Sequence, residues 1–510
     1  MSIQKQKFGG VIGGLIGIAA VIAGLALAQL VSLFNSHLYS PVISVGNRVI
    51  DHVPPVVKKL VIRFAGTHDK LVLIISILTV VLLLAALIGK LFMAGKTTAA
   101  YILLGFLILV AAGSSALNSG ATIISPLPSL VAGATAVWVL RWFANSNQPT
   151  ETFEEGLNRR TLFKKFAIVG VGAVAVGGVS KFVHQRIITN LERLNVALPK
   201  ALKPLPTPSV DPAETVRGLS KFFTPNKDFY RIDTAISVPT ISVDTWKLRI
   251  DGMVAKPMEF TYAQLLARPL IELDDTISCV SNEVGGSLVG NARWLGVSLD
   301  DLINETRPLK SADQILGHSV DGFTAGFPTA ALDGRGAMIA LGMNGESLPL
   351  EHGYPARVIV PGLYGYVSAT KWLQRLELTR FDRAQGYWIP RGWSAMGPIK
   401  TQSRIDTPNG GSNIKPGKVA IAGIAWAPTR GISKVEVRVN KDPWREATLG
   451  PVLANTTWRQ WWIGWDATKG DYNISVRATD GTGALQSDKD VPVEPNGAEG
   501  WHTVVVFVNK

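Results

Sequence analysis

The sequence predicts three parts in series: an α-helical membrane domain over 1–145, an α+β domain over 216–405, and an all-β, immunoglobulin-like sandwich over 406–510. Residues 146–215 link the first part to the second. Three observations predict this order. Apolar runs long enough to cross a bilayer are confined to roughly the first 185 residues. From about Val216 short strands, short helices and frequent Gly/Pro turns alternate. Beyond Pro408 only short strands remain, with turns at regular spacing. The chain carries 51 Lys and Arg against 38 Asp and Glu, a formal net charge of +13. These basic residues are dispersed or flank apolar runs and form no interleaved basic–aromatic stripe, which argues against a nucleic-acid partner. Membrane topology accounts for much of the charge, with the lipid bilayer as the partner.

Phe8 to Phe34 is a run of 27 residues without a charge, preceded by Lys5 and Lys7. That length spans a bilayer, and the basic flank places its start on the cytoplasmic side. The apolar core is too long for a secretory signal, and no small-residue cleavage site follows. Gly9, Gly13 and Gly17 recur every four residues and offer a helix-packing face. Residues 35–70 read as an external loop holding a short amphipathic piece. Three further spans are expected at Leu71–Gly89, Ala99–Leu117 and Ala121–Leu140. Lys90 to Lys96 is basic, as a cytoplasmic link should be, and the link around Asn118 is uncharged. None of the spans has a histidine near its middle, so bis-histidine haem is not expected there.

The segment N-R-R-T-L-F-K-K, Asn158 to Lys165, resembles a twin-arginine export signal, with Arg159 and Arg160 paired ahead of the apolar Phe166–Ser180. Its alternative is an ordinary positive-inside flank. As an uncleaved signal it would remain a fifth span and place residues after about 185 on the extracytoplasmic side of the cell membrane. Gly170 to Gly178, with Glu192 further on, outlines a dinucleotide fingerprint, but no convincing second strand leads to Glu192. Pro199 to Pro212 holds five prolines and reads as a semi-rigid spacer.

In the α+β domain, Trp246–Asp251 alternates as a strand and Thr261 caps a helix. Met343-Asn-Gly-Glu is a reverse turn with the hairpin signature at its centre. Cys279 is the single cysteine. Alone, it can form no internal disulfide and build no Cys-rich metal site. It is therefore a buried inert thiol, a reactive thiol, or one thiolate bond to a metal-bearing cofactor. It follows an apolar, β-prone T-I-S and precedes a Gly-rich loop, a common place to present a ligand. In the last domain, strands are expected at Val419–Trp426, Lys434–Asn440, Trp458–Trp465, Tyr472–Ala478 and Trp501–Val508. Core packing explains the aromatic cluster W-R-Q-W-W-I-G-W better than a ligand site does.

The run C-V-S-N with G-N-A-R-W-x-G-V-x-L resembles the molybdenum-binding segment of the sulfite oxidase family of molybdopterin enzymes, and the resemblance extends over roughly residues 216–510. It recurs at E-H-G-Y-P-A-R-V-I-V-P-G and S-A-T-K-W-L, and more loosely at F-Y-R-I-D-T, H-S-V-D-G and A-P-T-R-G. It implies a sulfite-oxidase-like molybdopterin domain in which the Cys279 sulfur binds molybdenum. It further implies a cofactor-binding set of Tyr230, Arg231, Asn282, Asp321, His352, Arg357, Ala369, Thr370 and Lys371. Arg231 and Arg430 match arginines that reach the substrate pocket, and His352, Arg357 and Lys371 match residues that grip the pterin and its phosphate. On the residues alone, Arg231 reads as a surface ion pair and Asp321 as a turn residue before glycine. The C-terminal domain of the family often mediates dimers, so a homodimer through that domain is implied here.

The chain also departs from the family's sulfite enzymes. Glu283 stands where they carry an anion-binding arginine, Val284 where they carry a pocket tryptophan, and Trp393 where they carry an active-site tyrosine. Ile232 and Asp233 replace an Asn-His pair. The expected activity is two-electron oxygen-atom transfer on a small S- or N-containing substrate, either sulfite oxidation or S/N-oxide reduction. The cofactor would be Mo-molybdopterin, and with no C-x-x-C-H in the chain no haem is expected. Electrons would pass to or from a membrane quinone or an external cytochrome. The competing reading is a non-enzymatic, membrane-tethered binding module with a decayed cofactor domain.

Overall fold

A computed structural model describes residues 2–145, 164, 167–169 and 181–509, apart from 33, 35–37, 55–56, 58–60, 62–68, 119–120 and 209. Arg159, Arg160 and most of the expected fifth span lie outside the described residues. The chain divides into two compact units, Met1–Ile188 with Ala235–Val238, and Thr189–Thr234 with Pro239–Lys510.

The first unit is helical: α1 (Ser2–Val31), α2 (Pro41–His52), α3 (Asp69–Met93), α4 (Thr97–Ala116) and α5 (Leu127–Asn145). Four of these, α1, α3, α4 and α5, are long and apolar enough to cross a membrane. α1 packs against α3 and α5. A Cβ on Gly17 would collide with the Ala85 carbonyl, and one on Gly89 with the Gly13 carbonyl. Small residues therefore let the two backbones meet, as the Gly13 and Gly17 spacing suggested. The amphipathic piece of the 35–70 loop is α2, whose Ser44 hydroxyl accepts from Ser115 at 3.0 Å. The last span starts later than expected, at Leu127 instead of Ala121. Pro126 and Pro128 disfavour helix in the residues before them and suit a first turn, so 121–126 forms turns and the helix runs on to Asn145.

In the second unit, α6 (Lys181–Asn195) ends in structural contacts. The Glu192 carboxylate accepts from the Val243 amide at 2.7 Å and the Tyr354 hydroxyl at 3.0 Å. Glu192 thus braces a helix end, where a dinucleotide fingerprint would place it at the end of a strand; residues 170–178 lie outside the described residues. Nor is the proline-rich stretch a free spacer. The Leu202 amide donates to Leu270 O at 2.8 Å and the Leu205 amide to Glu272 at 2.6 Å, because an extended backbone must place its amides on some acceptor.

Two antiparallel-rich sheets build the α+β part from β1 (Lys247–Gly252), β2 (Met258–Thr261), β3 (Leu270–Ser278), β4 (Val289–Ser298), β5 (Gln314–Ser319), β6 (Thr324–Pro328), β7 (Met338–Met343), β8 (Glu346–Ser347), β9 (Arg357–Ile359) and β10 (Leu373–Thr379). One sheet runs β2-β1-β10-β5-β6, with β1 and β10 parallel. The other runs β3-β4-β7-β8, with β9 on β7. Leu248, Ile250, Ile315, Ile339, Val358 and Leu376 close one core between them. Thr261 caps α7 (Tyr262–Leu266) in a capping box with Gln264, and Ser298 caps α8 (Leu299–Glu305). Asn344 and Gly345 turn β7 into β8 at φ of +51° and +85°.

The C-terminal part is all β: β11 (Gln402–Thr407), β12 (Asn413–Ile414), β13 (Gly417–Trp426), β14 (Ile432–Val439), β15 (Arg445–Glu446), β16 (Thr448–Leu449), β17 (Arg459–Ala467), β18 (Gly470–Asp480) and β19 (His502–Val508). A sheet β11-β13-β17-β16 and a sheet β12-β19-β18-β14-β15 share one core around Ile421, Val437, Trp461, Trp465, Val476 and Val506. Trp458 instead joins Phe222, Val280, Tyr364, Ile399 and Trp426 in a cluster drawn from both parts. This fuses the α+β layer to the sandwich.

Candidate active site

β3 delivers Cys279, and the end of that strand is pinned from three sides. The Cys279 amide donates to Leu288 O at 2.9 Å. The Thr276 hydroxyl donates to Asn291 Oδ1 at 3.0 Å while accepting from the Trp458 amide at 2.6 Å. Arg293 grips Asp274 with two bonds of 2.7 and 2.8 Å across the β3–β4 pair. The matched residues of G-N-A-R-W therefore brace the strand that carries the thiol. After Cys279 the chain turns tightly: the Asn282 amide donates to Cys279 O at 3.1 Å, and the Asn282 side chain accepts from the Leu288 amide at 2.8 Å. Cys279 itself is 8% exposed, and burial pushes its thiol pKa up. A metal in place of the proton would relieve that cost.

The thiol opens onto a cleft of about 910 Å³, counting its open mouth. Seven of the expected site residues line it: Tyr230, Cys279, Asp321, His352, Arg357, Ala369 and Lys371. Arg357 starts β9 and is 5% exposed, with its guanidinium over the Trp294 ring at 5.0 Å. It donates to His352 O at 3.1 Å, yet its Nε has no partner among the described residues. Burial pulls its pKa down to about 10. Lys371, whose side chain is 12% exposed, is pulled down to about 8, chiefly by loss of solvent and against the pull of Asp233. His352 lies 2.9 Å from Asn226 O, an atom that can only accept, so Nε2 carries a proton. Burial and then Arg357 lower its pKa to about 4, which keeps the ring neutral near pH 7. Gly353 (φ +110°) and Trp372 (φ +49°), both left-handed, shape the two loops that bring His352, Arg357 and Lys371 together.

Four expected residues do not line the cleft. Asn282 shapes the loop after Cys279, and Thr370 is buried behind the wall, against Gly317. Arg231 is held at 2.6 Å by Asp233, and Arg430 at 2.9 Å by Asp480. Glu283 and Val284 are also absent from the lining, because the turn sends Glu283 to solvent. Trp393 does line the cleft. Two carboxylates line it, Asp321 and Asp233; the Asp233 side chain is 3% exposed and bridges Arg231 to Lys371 at 3.1 Å. Sequence reasoning noted Asp233 only as a replacement and assigned it no role. It also passed over Asp275, which is buried with Oδ1 lacking a partner among the described residues and is pushed up to about 8 by burial. The adjacent Asp274-Asp275 pair was the available signal, since alternation on a strand must send one of the two inward.

Two cations, a neutral imidazole and an unpartnered guanidinium nitrogen at one cleft suit a phosphorylated, donor- and acceptor-rich ligand, and the thiol suits a soft metal. On that test the residues present fit a metal–pterin group.

The comparisons with known proteins agree. Residues 235–388 match the family described as "Oxidoreductase molybdopterin binding domain". The chain is 25% identical over 335 residues to the sulfite oxidase of Gallus gallus, covering 55% of this chain and 71% of that protein. It is 26% identical to the mitochondrial sulfite oxidase of Macaca fascicularis, spanning 62% of that protein and 56% of itself. Over 152 residues it is 31% identical to the oxidoreductase YuiH of Bacillus subtilis, covering 30% of this chain and 74% of that one. In fold it resembles the sulfane dehydrogenase SoxCD of Paracoccus pantotrophus, with a TM-score of 0.51 at 20% identity, over 72% of this chain and 98% of that chain.

Proposed function

The chain belongs to the sulfite oxidase family of molybdopterin-dependent oxidoreductases, and from that premise we propose a membrane-anchored enzyme working outside the cytoplasmic membrane. Its reaction is two-electron oxygen-atom transfer on a small sulfur- or nitrogen-centred substrate. The observation that carries this reading is that Cys279 opens onto the same cleft as His352, Arg357 and Lys371. Arg357 and Lys371 would hold the pterin phosphate, His352 a neighbouring polar edge, and the Cys279 sulfur the molybdenum. When bound, the group supplies a metal that exchanges an oxygen atom and two electrons with substrate. The chain's own residues position and insulate. Tyr230, Tyr366, Trp388 and Trp393 line the cleft, and Asp233 fixes the direction of the Lys371 ammonium.

Balance requires a partner that exchanges two electrons in either direction. Sulfite with water would yield sulfate, two protons and two electrons for an acceptor. An S- or N-oxide would take two protons and two electrons and release water. The donor or acceptor is a membrane quinone couple or an external cytochrome. The test is elemental analysis of full-length protein purified from cells supplied with molybdate. About one molybdenum per chain is expected, with Cys279→Ser inactive and depleted of metal. Protein that stays free of molybdenum would overturn the reading.

A further inference from the structure

We propose that Asp275 is a positioning residue for the Arg357 guanidinium, and that a proton held on its carboxyl is what leaves Arg357 free to take an anionic group in the cleft. This rests on the reading of Arg357 as an anion grip and goes beyond it by naming the group that governs that grip from behind the wall.

The β3–β4 ladder sets Asp275 opposite Ala292 and Leu273 opposite Trp294. Side chains alternate along a strand, so Leu273, Asp275 and Ile277 form one row on β3, and the row leads to Cys279. Over it lies the Trp294 ring, with the Arg357 guanidinium at 5.0 Å. Phe229 meets Trp294 edge-on at 5.9 Å and stacks on Tyr230 at 5.5 Å. Asp275 thus sits about 13 Å along the strand from Cys279. There it feels the charge of Arg357 and is felt by Tyr230. Its neighbour Asp274 takes the opposite face, where Arg293 grips it.

Two atoms behind the wall are left over. Asp275 is 2% exposed and its Oδ1 has no partner among the described residues; Arg357 is 5% exposed and its Nε has none either. An ionised carboxylate buried beside a guanidinium should form a charge-assisted pair with it, because either charge alone is costly there. Arg357 instead donates to His352 O at 3.1 Å. The arrangement is that of a neutral acid beside a charged guanidinium. Burial acts in the same sense, raising the carboxyl to about 8 against the Thr276 amide and Arg357, which favour the anion. The groups facing the acid are Arg357 from β9 and Tyr230, whose hydroxyl burial keeps protonated. β4 contributes the uncharged Ala292 and Trp294, while His352 and Lys371 border Arg357 itself. While the acid is neutral, the whole guanidinium charge is available to a phosphate-like group. Once ionised, the acid draws the Nε edge back and repels an incoming anion. Anion affinity therefore falls as pH rises through about 8.

Full-length, cofactor-free protein is titrated calorimetrically with sulfate, whose charge is constant from pH 6.5 to 9. Arg357→Gln should abolish the binding, which places the ion. Asn copies the neutral acid and cannot ionise, so Asp275→Asn should match the unaltered protein at pH 6.5. At pH 9 it should bind sulfate about 5-fold more tightly, as follows if the ionised acid weakens the site about tenfold. Lys371, also pulled down to about 8, loses charge over the same range in both proteins and cancels from the ratio. A second measurement leaves Asp275 in place and so does not depend on how the Asn variant folds. In Lys371→Arg, whose cation does not titrate, sulfate binding at pH 8.5 should take up about half a proton. The uptake is read from the heats in two buffers of different ionisation enthalpy. Parallel loss of affinity in the Asp275→Asn and unaltered proteins, or no proton uptake in Lys371→Arg, would overturn the role of Asp275 alone. No sulfate binding at pH 6.5, or binding that Arg357→Gln leaves untouched, would overturn the anion grip beneath it.

Discussion

A single imidazole reports on how the cleft is charged. In the cofactor-free protein His352 is neutral down to about pH 4, chiefly because it is buried and then because Arg357 lies close. The unfolded chain binds a proton there near pH 6.5, so between 6.5 and 4 it binds more protons than the folded one. Stability contributed by the neutral ring is therefore complete above pH 6.5 and falls with pH through that window, by up to about 3 kcal/mol. A phosphate held by Arg357 and Lys371 would favour the imidazolium and flatten the slope. Urea melts from pH 8 to 4.5 should show a steeper fall for cofactor-free than for loaded protein, and His352→Gln should remove the difference. Identical slopes would place His352 away from the phosphate. At this scale the motifs named Cys279, His352 and Lys371, and the fold brings all three to one cleft. The sequence was silent on Asp233, because a carboxylate's partner cannot be read from its own position.

Loops between strands set the cation geometry. Gly353 sits at φ +110°, and a Cβ there would lie 3.0 Å from Lys371 Cβ and 3.2 Å from Arg357 Cβ. Gly353→Ala should therefore cost about 1–2 kcal/mol through left-handed strain and also push both cations off their positions. Gly345, in the β7–β8 turn at φ +85°, meets nothing within 4 Å. Gly345→Ala should cost about 1 kcal/mol of stability and leave cofactor retention unchanged. Thermal melts and metal content on the same two preparations separate strain from displacement. Equal metal retention in both variants would show that the Gly353 loop does not position the site. The Asn-Gly turn was legible because two left-handed residues in succession demand that chemistry. The role of Gly353 was not, because its crowding comes from Lys371 and Arg357 folding back over it.

At the scale of the whole molecule, the proposed membrane topology makes a prediction about accessibility. The chain has one cysteine, buried Cys279, so an added surface cysteine can be labelled against a quiet background. Lys469 is exposed between β17 and β18. In intact cells Lys469→Cys should react with a membrane-impermeant maleimide if residues after about 185 lie outside. Labelling only after lysis would reverse the proposed topology. Four of the expected spans reappear as helices α1, α3, α4 and α5, since bilayer length and apolar composition are properties of a contiguous run.

Contiguous pattern is what the sequence determined by itself: long apolar runs, strands of alternating burial, capped helices, the hairpin turn, and the motif blocks that led to the family. The tertiary structure decided which charges remain available. Lys371 meets Asp233 across 138 residues and Arg430 meets Asp480 across 50, while Glu283, in the motif itself, turns away to solvent. Local pattern follows from the backbone's own periodicity. The net charge of a cleft follows from which distant side chains packing brings within hydrogen-bond reach, and no short stretch of sequence contains that information.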